Sequence, residues 1–199
     1  MTLRTLTYQL FRCFAFRKIK HADMNLITLR MPLVVTAMVS FIFLFLPVQP
    51  RIFGSGGING FVLSFVGALP GFFIASLAAV ATFQRSTLDD TLPEPAPTLA
   101  LRLGAAEEQV QLTMRMFLAH LFSYLCALAI FLAVFCIGSE ALAPTMETVA
   151  AGTGSSSDTV RMCLRLTYVS ITGLLLSNIV ITTMFGLYLL AERMHRPIA

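Results

Sequence analysis

The stretch MFLAHLFSYLCALAIFLAVFCI, residues 116–137, contains no Lys, Arg, Asp or Glu. The hydrocarbon layer of a bilayer takes about 17–25 helical residues to cross, and a soluble amphipathic helix of that length would turn one charged face to water. Three further apolar stretches, 31–48, 58–83 and 168–190, read the same way, the first only just long enough. Hydrophobic residues make up 57% of the chain and charged ones 12%, with a mean hydropathy of +0.81. These features predict an all-α polytopic membrane protein, a bundle of four transmembrane helices. A basic arm over 1–30 precedes it, a loop over 84–115 joins the two hairpins, an outer loop covers 138–167, and a tail runs over 191–199. No cleavable leader is expected, because the first apolar run starts about 30 residues in and no small-residue cleavage site follows it.

The basic residues orient the spans. Arg4, Arg12, Arg17, Lys18, Lys20 and Arg30 precede the first, Arg85, Arg102 and Arg115 lie between the second and third, and Arg193 and Arg196 follow the fourth. The opposite side carries only Arg51, Arg161 and Arg165. Lys and Arg concentrate on the cytoplasmic side, so both termini and the central loop are expected inside. The net charge of +4 is read as anchoring to anionic lipid, with no direct nucleic-acid binding. Leu3, Leu6, Leu10 and Phe14 share one helical face among basic residues, which predicts an amphipathic N-terminal helix on the cytoplasmic leaflet.

The second span has the most distinctive pattern. Gly56, Gly60, Ser64 and Ala68 recur every four residues, and Gly67, Gly71, Ala75 and Ala79 form a second such series. Small residues at this spacing let helix backbones approach closely in lipid. Packing within one bundle and contact between subunits are both compatible with the two series; Gly60, Ser64, Gly67, Ala68, Gly71, Ala75 and Ala79 are the candidate packing positions. Pro70 denies the Val66 carbonyl its helical donor and predicts a kink. From about Leu99 the chain reads as helical again, and Ala105–Ile137 contains no Pro and reads as one long helix.

Little in the sequence points to catalysis. No nucleophile–base pair, zinc spacing or phosphate-binding glycine loop is present, and no cofactor, metal or catalytic residue is expected. With the spans as drawn, none contains Asp or Glu, whereas a proton-coupled transporter needs an ionisable group at depth. His120 is the one titratable candidate within a span and is expected to be a satisfied interfacial histidine, with Tyr124 four residues on within reach as a partner. Asn178 and Thr182, with Ser170, Gly173 and Ser177, make the fourth span polar on one side; hydrogen bonding between helices is the main reading and a pore lining the alternative. Cys136 and Cys163, near the outer helix ends, are either a disulfide or free thiols. Arg161 and Arg165, four apart, face outer-leaflet lipid or serve sensing. Arg12, Arg17, Lys18, Lys20, Asp89, Asp90, Glu107, Glu108, Arg193 and Arg196 form a mixed-charge cytoplasmic surface suited to a soluble partner.

The basic arm, the two helical hairpins, the small-residue run Leu69-Pro-Gly-Phe-Phe-Ile-Ala-Ser-Leu-Ala-Ala-Val-Ala-Thr-Phe83 and the following Leu88-Asp-Asp90 together resemble the membrane subunit of the Kiwa anti-phage defence system. The resemblance implies a bacterial inner-membrane protein forming homo-oligomers, tetramers in that family. It also implies a cytosolic DNA-binding partner. On this reading the chain is a non-enzymatic sensor and scaffold, with a small oligomeric pore or a small transporter as the alternatives.

Overall fold

The computed structural model describes residues 11–19, 24–47, 49–83, 89, 91, 97–103, 106–152 and 157–193. Four helices dominate: α1 Met31–Phe45, α2 Ile58–Thr82, α3 Met114–Ala151 and α4 Ser157–Arg193. All four are long and apolar enough to cross a membrane, α1 together with the turn before it. α3 packs on both α2 and α4, and α1 packs on α4, while α1 and α2 barely touch. α3 is the central helix, with Leu118, Leu121, Leu125, Ala129 and Leu132 fully enclosed. α2 buries only the narrow stripe Asn59, Val66, Phe73 and Val80, seven residues apart, which is the spacing that keeps one helix edge against a neighbour.

Two boundaries differ from the sequence reading. The third helix does not stop at Ile137 but continues through Gly138 and Pro144 to Ala151, and the fourth starts at Ser157 with Asp158 in its first turn. Most of the expected outer loop 138–167 is therefore helix. A single Gly in a helix costs only about 1 kcal/mol, which Ala141, Leu142 and Ala143 and the anchoring of Glu140 described below offset. Segments of 32 and 34 apolar-rich residues reach about 50 Å at 1.5 Å per residue, well beyond a hydrocarbon layer of about 30 Å.

The central segment is also corrected. Thr98–Leu103 (β1) and Ala106–Gln111 (β2) form an antiparallel hairpin, with Leu103 opposite Ala106 and Arg102 opposite Glu107. Leu, Ala and Glu are good helix formers and masked the signal. Yet Leu99, Leu101 and Leu103 alternate with Ala100 and Arg102, and Gly104 follows, which is strand periodicity ending in a turn residue. The Leu112 N–H donates to the Pro97 carbonyl at 3.0 Å and closes the hairpin's base. Leu99 and Leu112 are buried in the same core as α3.

The expected amphipathic N-terminal helix falls largely outside the described residues. Leu3, Leu6 and Leu10 lie outside the described residues. Phe11–Lys18 is a short 3₁₀ helix, and its Phe16 is fully buried, stacked on Tyr124 at 5.3 Å and edge-on to Phe117 at 5.6 Å. This segment docks on α3.

Just before α1, Leu26–Arg30 forms a π turn. Pro32 has no N–H to offer the Thr28 carbonyl four residues earlier. Asn178 of α4 supplies the donor instead, Nδ2 to Thr28 O at 2.8 Å. Inside an apolar layer such a substitute is needed, since water is not there to bond a freed carbonyl. α2 remains helical through Pro70.

Candidate functional site

The end of the molecule that carries Arg51, Arg161 and Arg165 holds a polar network and an open cavity side by side. The loop before α2 turns tightly: Gly54 and Gly56 have φ of 86° and 77°, a region that favours glycine. A Cβ on Gly57 would stand 2.5 Å from the Ile52 carbonyl oxygen. The Ile58 N–H donates to Arg51 O and the Asn59 N–H to Ile52 O, both at 3.0 Å. The loop is thereby locked onto the start of α2.

Asn59, 1% exposed, is the hub. Its Nδ2 donates to Glu140 Oε2 at 2.6 Å and to the Cys136 carbonyl at 3.1 Å. Its Oδ1 accepts from the Tyr168 hydroxyl at 2.6 Å, which also lies 3.8 Å from Cys136 Sγ. Glu140 Oε1 accepts the Gly54 N–H at 2.8 Å. One carboxylate thus joins the loop, α2 and α3, and Tyr168 adds α4. The shortened third span hid this: Glu140 lies three residues beyond the span as drawn, within the longer apolar segment Met114–Thr145. The available signal was helix-forming sequence running on past Gly138.

Beside the network opens a cavity of about 760 Å³, its wall including Arg51, Arg161, Arg165, Glu147, Ser139 and Tyr168 and its floor Ile52, Phe135, Leu142, Leu164 and Ile171. All three arginines are exposed, and among the described residues none of them makes an ion pair. Arg161 and Arg165 share a face, as their spacing predicted, and Arg51 joins them from the loop.

The opposite end carries a different arrangement. Arg115, at the start of α3, donates Nε to Asp89 Oδ1 at 2.8 Å and Nη2 to Asp89 Oδ2 at 3.2 Å. It also donates to the carbonyls of Val80 and Phe83, each at 2.9 Å, capping the last turn of α2. Asp89, expected to face a partner, is held inside the chain. This hydrogen bond to Arg115, together with the guanidinium charge, keeps the Asp89 carboxyl below its ordinary value. A depressed carboxylate stabilises the fold above its unfolded value and loses that contribution as pH falls through the lowered folded one. The melting temperature of the wild type is therefore expected to fall more steeply below about pH 4 than that of Asp89→Asn. Identical acid limbs would leave the pair without a share in stability.

The remaining predicted positions are distributed as follows. Arg17 is exposed on the 3₁₀ helix, which also contains Arg12 and Lys18. Glu107 and Glu108 lie on β2, and Arg193 ends α4. Lys20, Asp90 and Arg196 lie outside the described residues. Gly60, Ser64, Gly67, Ala68, Gly71 and Ala75 are exposed on α2, and Ala79 is half-buried. A Cβ on Gly60, Gly67 or Gly71 would meet nothing within 4 Å. These residues thus take little part in packing within the chain.

The polar side of α4 packs on α1 and α3. Ser177 Oγ and Thr36 Oγ1 are 3.2 Å apart, and Ser40 Oγ and Ser170 Oγ 3.0 Å; a Cβ on Gly173 would contact Thr36. Tyr124 donates to Asn178 Oδ1 at 3.1 Å, as does Thr182 at 3.4 Å. His120 does not bond Tyr124, since its Nδ1 pairs with the Met116 carbonyl at 2.7 Å. Cys136 is buried and Cys163 exposed, and no disulfide joins them. Among the described residues no group of His, Cys, Asp and Glu could hold a metal. In comparisons with known proteins, the chain matches no family model, no curated protein and no solved structure.

Proposed function

We propose that the chain is a non-enzymatic membrane scaffold and sensor of a bacterial inner membrane. It self-associates through α2 and holds a soluble partner on the face bearing the 3₁₀ helix, the hairpin and the last turn of α4. The observation carrying this reading is the outward face of α2. Gly60, Ser64, Gly67, Ala68, Gly71 and Ala75 stand exposed on one helix and leave open space where side chains would be. Lipid tails fill such a face poorly, whereas a second helix can approach it closely. The hydroxyl of Ser64 bonds back to Gly60 O at 2.9 Å, so the face presents no unpaired hydroxyl there.

Both termini and the hairpin belong in the cytoplasm on the basic-residue distribution. By sequence position the partner-facing charges are Arg12, Arg17, Lys18, Lys20, Asp90, Glu107, Glu108, Arg193 and Arg196, whose mixed charge sets encounter rate and specificity. The layout's resemblance to the Kiwa membrane subunit supplies the rest of the proposal: a role in anti-phage defence, a tetrameric assembly and a DNA-binding protein as the partner. Against a pore, the polar stripe that would line it is engaged between helices.

Gly67→Leu and Gly71→Leu test the assembly. Each places a branched side chain where a partner backbone would sit, without touching the chain's own packing. The expected result is loss of the oligomer in cross-linking and native mass, with helix content and insertion unchanged. An unaltered oligomer in both variants would move the interface off α2.

A further inference from the structure

The cavity beside the Asn59 network joins two chemistries that seldom share a wall. Arg51 comes from the loop, Arg161 and Arg165 from successive turns of α4, and Glu147 is the one carboxylate among the lining residues. The floor below them is aliphatic and aromatic. Ile52, 4% exposed, and Tyr168, 8% exposed, are fixed by packing against each other's neighbours, and Arg51 is held by the Ile58 N–H on its carbonyl. The loop and α4 therefore set the backbone positions from which the three arginines reach the cavity.

Guanidinium groups match phosphate oxygens in pairs and bind them as charge-assisted forks. Arginines that only snorkel stretch along a convex helix surface toward headgroups; these three surround a concavity. Its volume lies within the usual range of about 300–1,000 Å³ for small-molecule sites. α3 and α4 outrun the hydrocarbon layer, and with the chain in a bilayer the cavity falls where their apolar segments end, at headgroup depth. A small soluble anion would leave the apolar floor wet, and a zwitterionic lipid would bring its own ammonium cation beside three guanidinium groups that face a single carboxylate.

We propose that this cavity binds one anionic phospholipid of the surrounding bilayer, with its phosphate among Arg51, Arg161 and Arg165 and an acyl chain along Phe135, Leu142 and Ile171. The occupant does not depend on α2 assembly or on a partner at the opposite end. The site gives the chain a way to register the headgroup composition of one leaflet, because Tyr168 lines the cavity and is bonded to Asn59, which ties α4 to α2 and α3.

The experiment uses the full chain purified in neutral detergent and mixed with dioleoyl phosphatidylglycerol or dioleoyl phosphatidylcholine, bound lipid being counted by native mass spectrometry. One phosphatidylglycerol per chain is expected to be retained, with phosphatidylcholine about tenfold weaker. Arg161→Gln with Arg165→Gln should erase that preference. Arg30→Gln, an exposed arginine at the start of α1, should keep it. If the double variant does not insert, Arg51→Gln alone carries the test. Equal retention of both lipids, an unchanged preference in the arginine variants, or the same loss in Arg30→Gln would overturn the proposal. Displacement of phosphatidylglycerol by millimolar inorganic phosphate or glycerol phosphate would also overturn it, because the site would then read free phosphate.

Discussion

Replacing Asn59 by Leu is expected to lower stability by about 2–3 kcal/mol, the largest single effect in the molecule. Leu fills a similar volume but removes the donor to Glu140 and to the Cys136 carbonyl, and the acceptor of the Tyr168 hydroxyl. The carboxylate keeps only the Gly54 N–H among its described partners. Removing one partner leaves the others desolvated and unpaired, which costs more than the net worth of the bonds. Hydrogen bonds within membranes average only about 0.6 kcal/mol; the carboxylate and the number of groups orphaned raise this case above that average. Asn59→Asp should not rescue it, because Asp faces Glu140 with like charge and lacks the amide donor. Ser64→Ala, which removes only a bond to its own helix's carbonyl, should change stability by less than about 0.5 kcal/mol. Unfolding in mixed micelles, followed by circular dichroism, ranks the three. Comparable losses for Asn59→Leu and Ser64→Ala would mean that the network contributes nothing.

The second large effect is at Asn178. Its side chain joins three segments: it donates to the Thr28 carbonyl, and it accepts from Tyr124 and Thr182. Asn178→Leu strips the Thr28 carbonyl of a donor that Pro32 cannot replace. The expected loss is about 2 kcal/mol, three bonds at roughly 0.6 kcal/mol each plus the orphaned carbonyl. Pro32→Ala should recover part of that loss, because alanine at that position restores an N–H four residues after Thr28. The double variant therefore distinguishes this account from a simple packing defect. If Pro32→Ala changes stability by the same amount with and without Asn178→Leu, the two sites are not coupled.

The parts of the fold legible in the sequence were those governed by hydrophobicity over whole helices. The uncharged run at 116–137 places the core of α3, and the alternating small residues place the open face of α2. The helix-four polar positions Ser170, Ser177 and Asn178 make the expected contacts between helices, whereas Thr182 bonds Asn178 within its own helix. Three features were not legible, each for a local reason. The hairpin at 98–111 is written in residues with helix propensity, so its period-two alternation competed with a stronger prior. The ends of α3 and α4 were hidden because Gly138 and the polar start of α4 resemble loop sequence, although helices that leave the bilayer need not stay apolar. Glu140 and Arg51 were missed as site residues because both owe their position to tertiary contact: Glu140 to Asn59 and Gly54, and Arg51 to the turn that Gly54, Gly56 and Gly57 allow. The ion pair between Asp89 and Arg115, 26 positions apart, is likewise invisible to local pattern, and each residue was assigned a separate role without it.

The account turns on the two ends facing opposite sides of a membrane, the arginine cavity outward and the hairpin with the 3₁₀ helix inward. Cys163, exposed on α4 between the cavity arginines Arg161 and Arg165, and Cys13, on the 3₁₀ helix, mark those ends. In single-cysteine variants expressed in intact spheroplasts, a membrane-impermeant maleimide should label Cys163 at once and Cys13 only after the membrane is permeabilised. Labelling of Cys13 but not Cys163 in intact spheroplasts would contradict the charge-based orientation, and labelling of both would contradict a chain that spans the membrane between them.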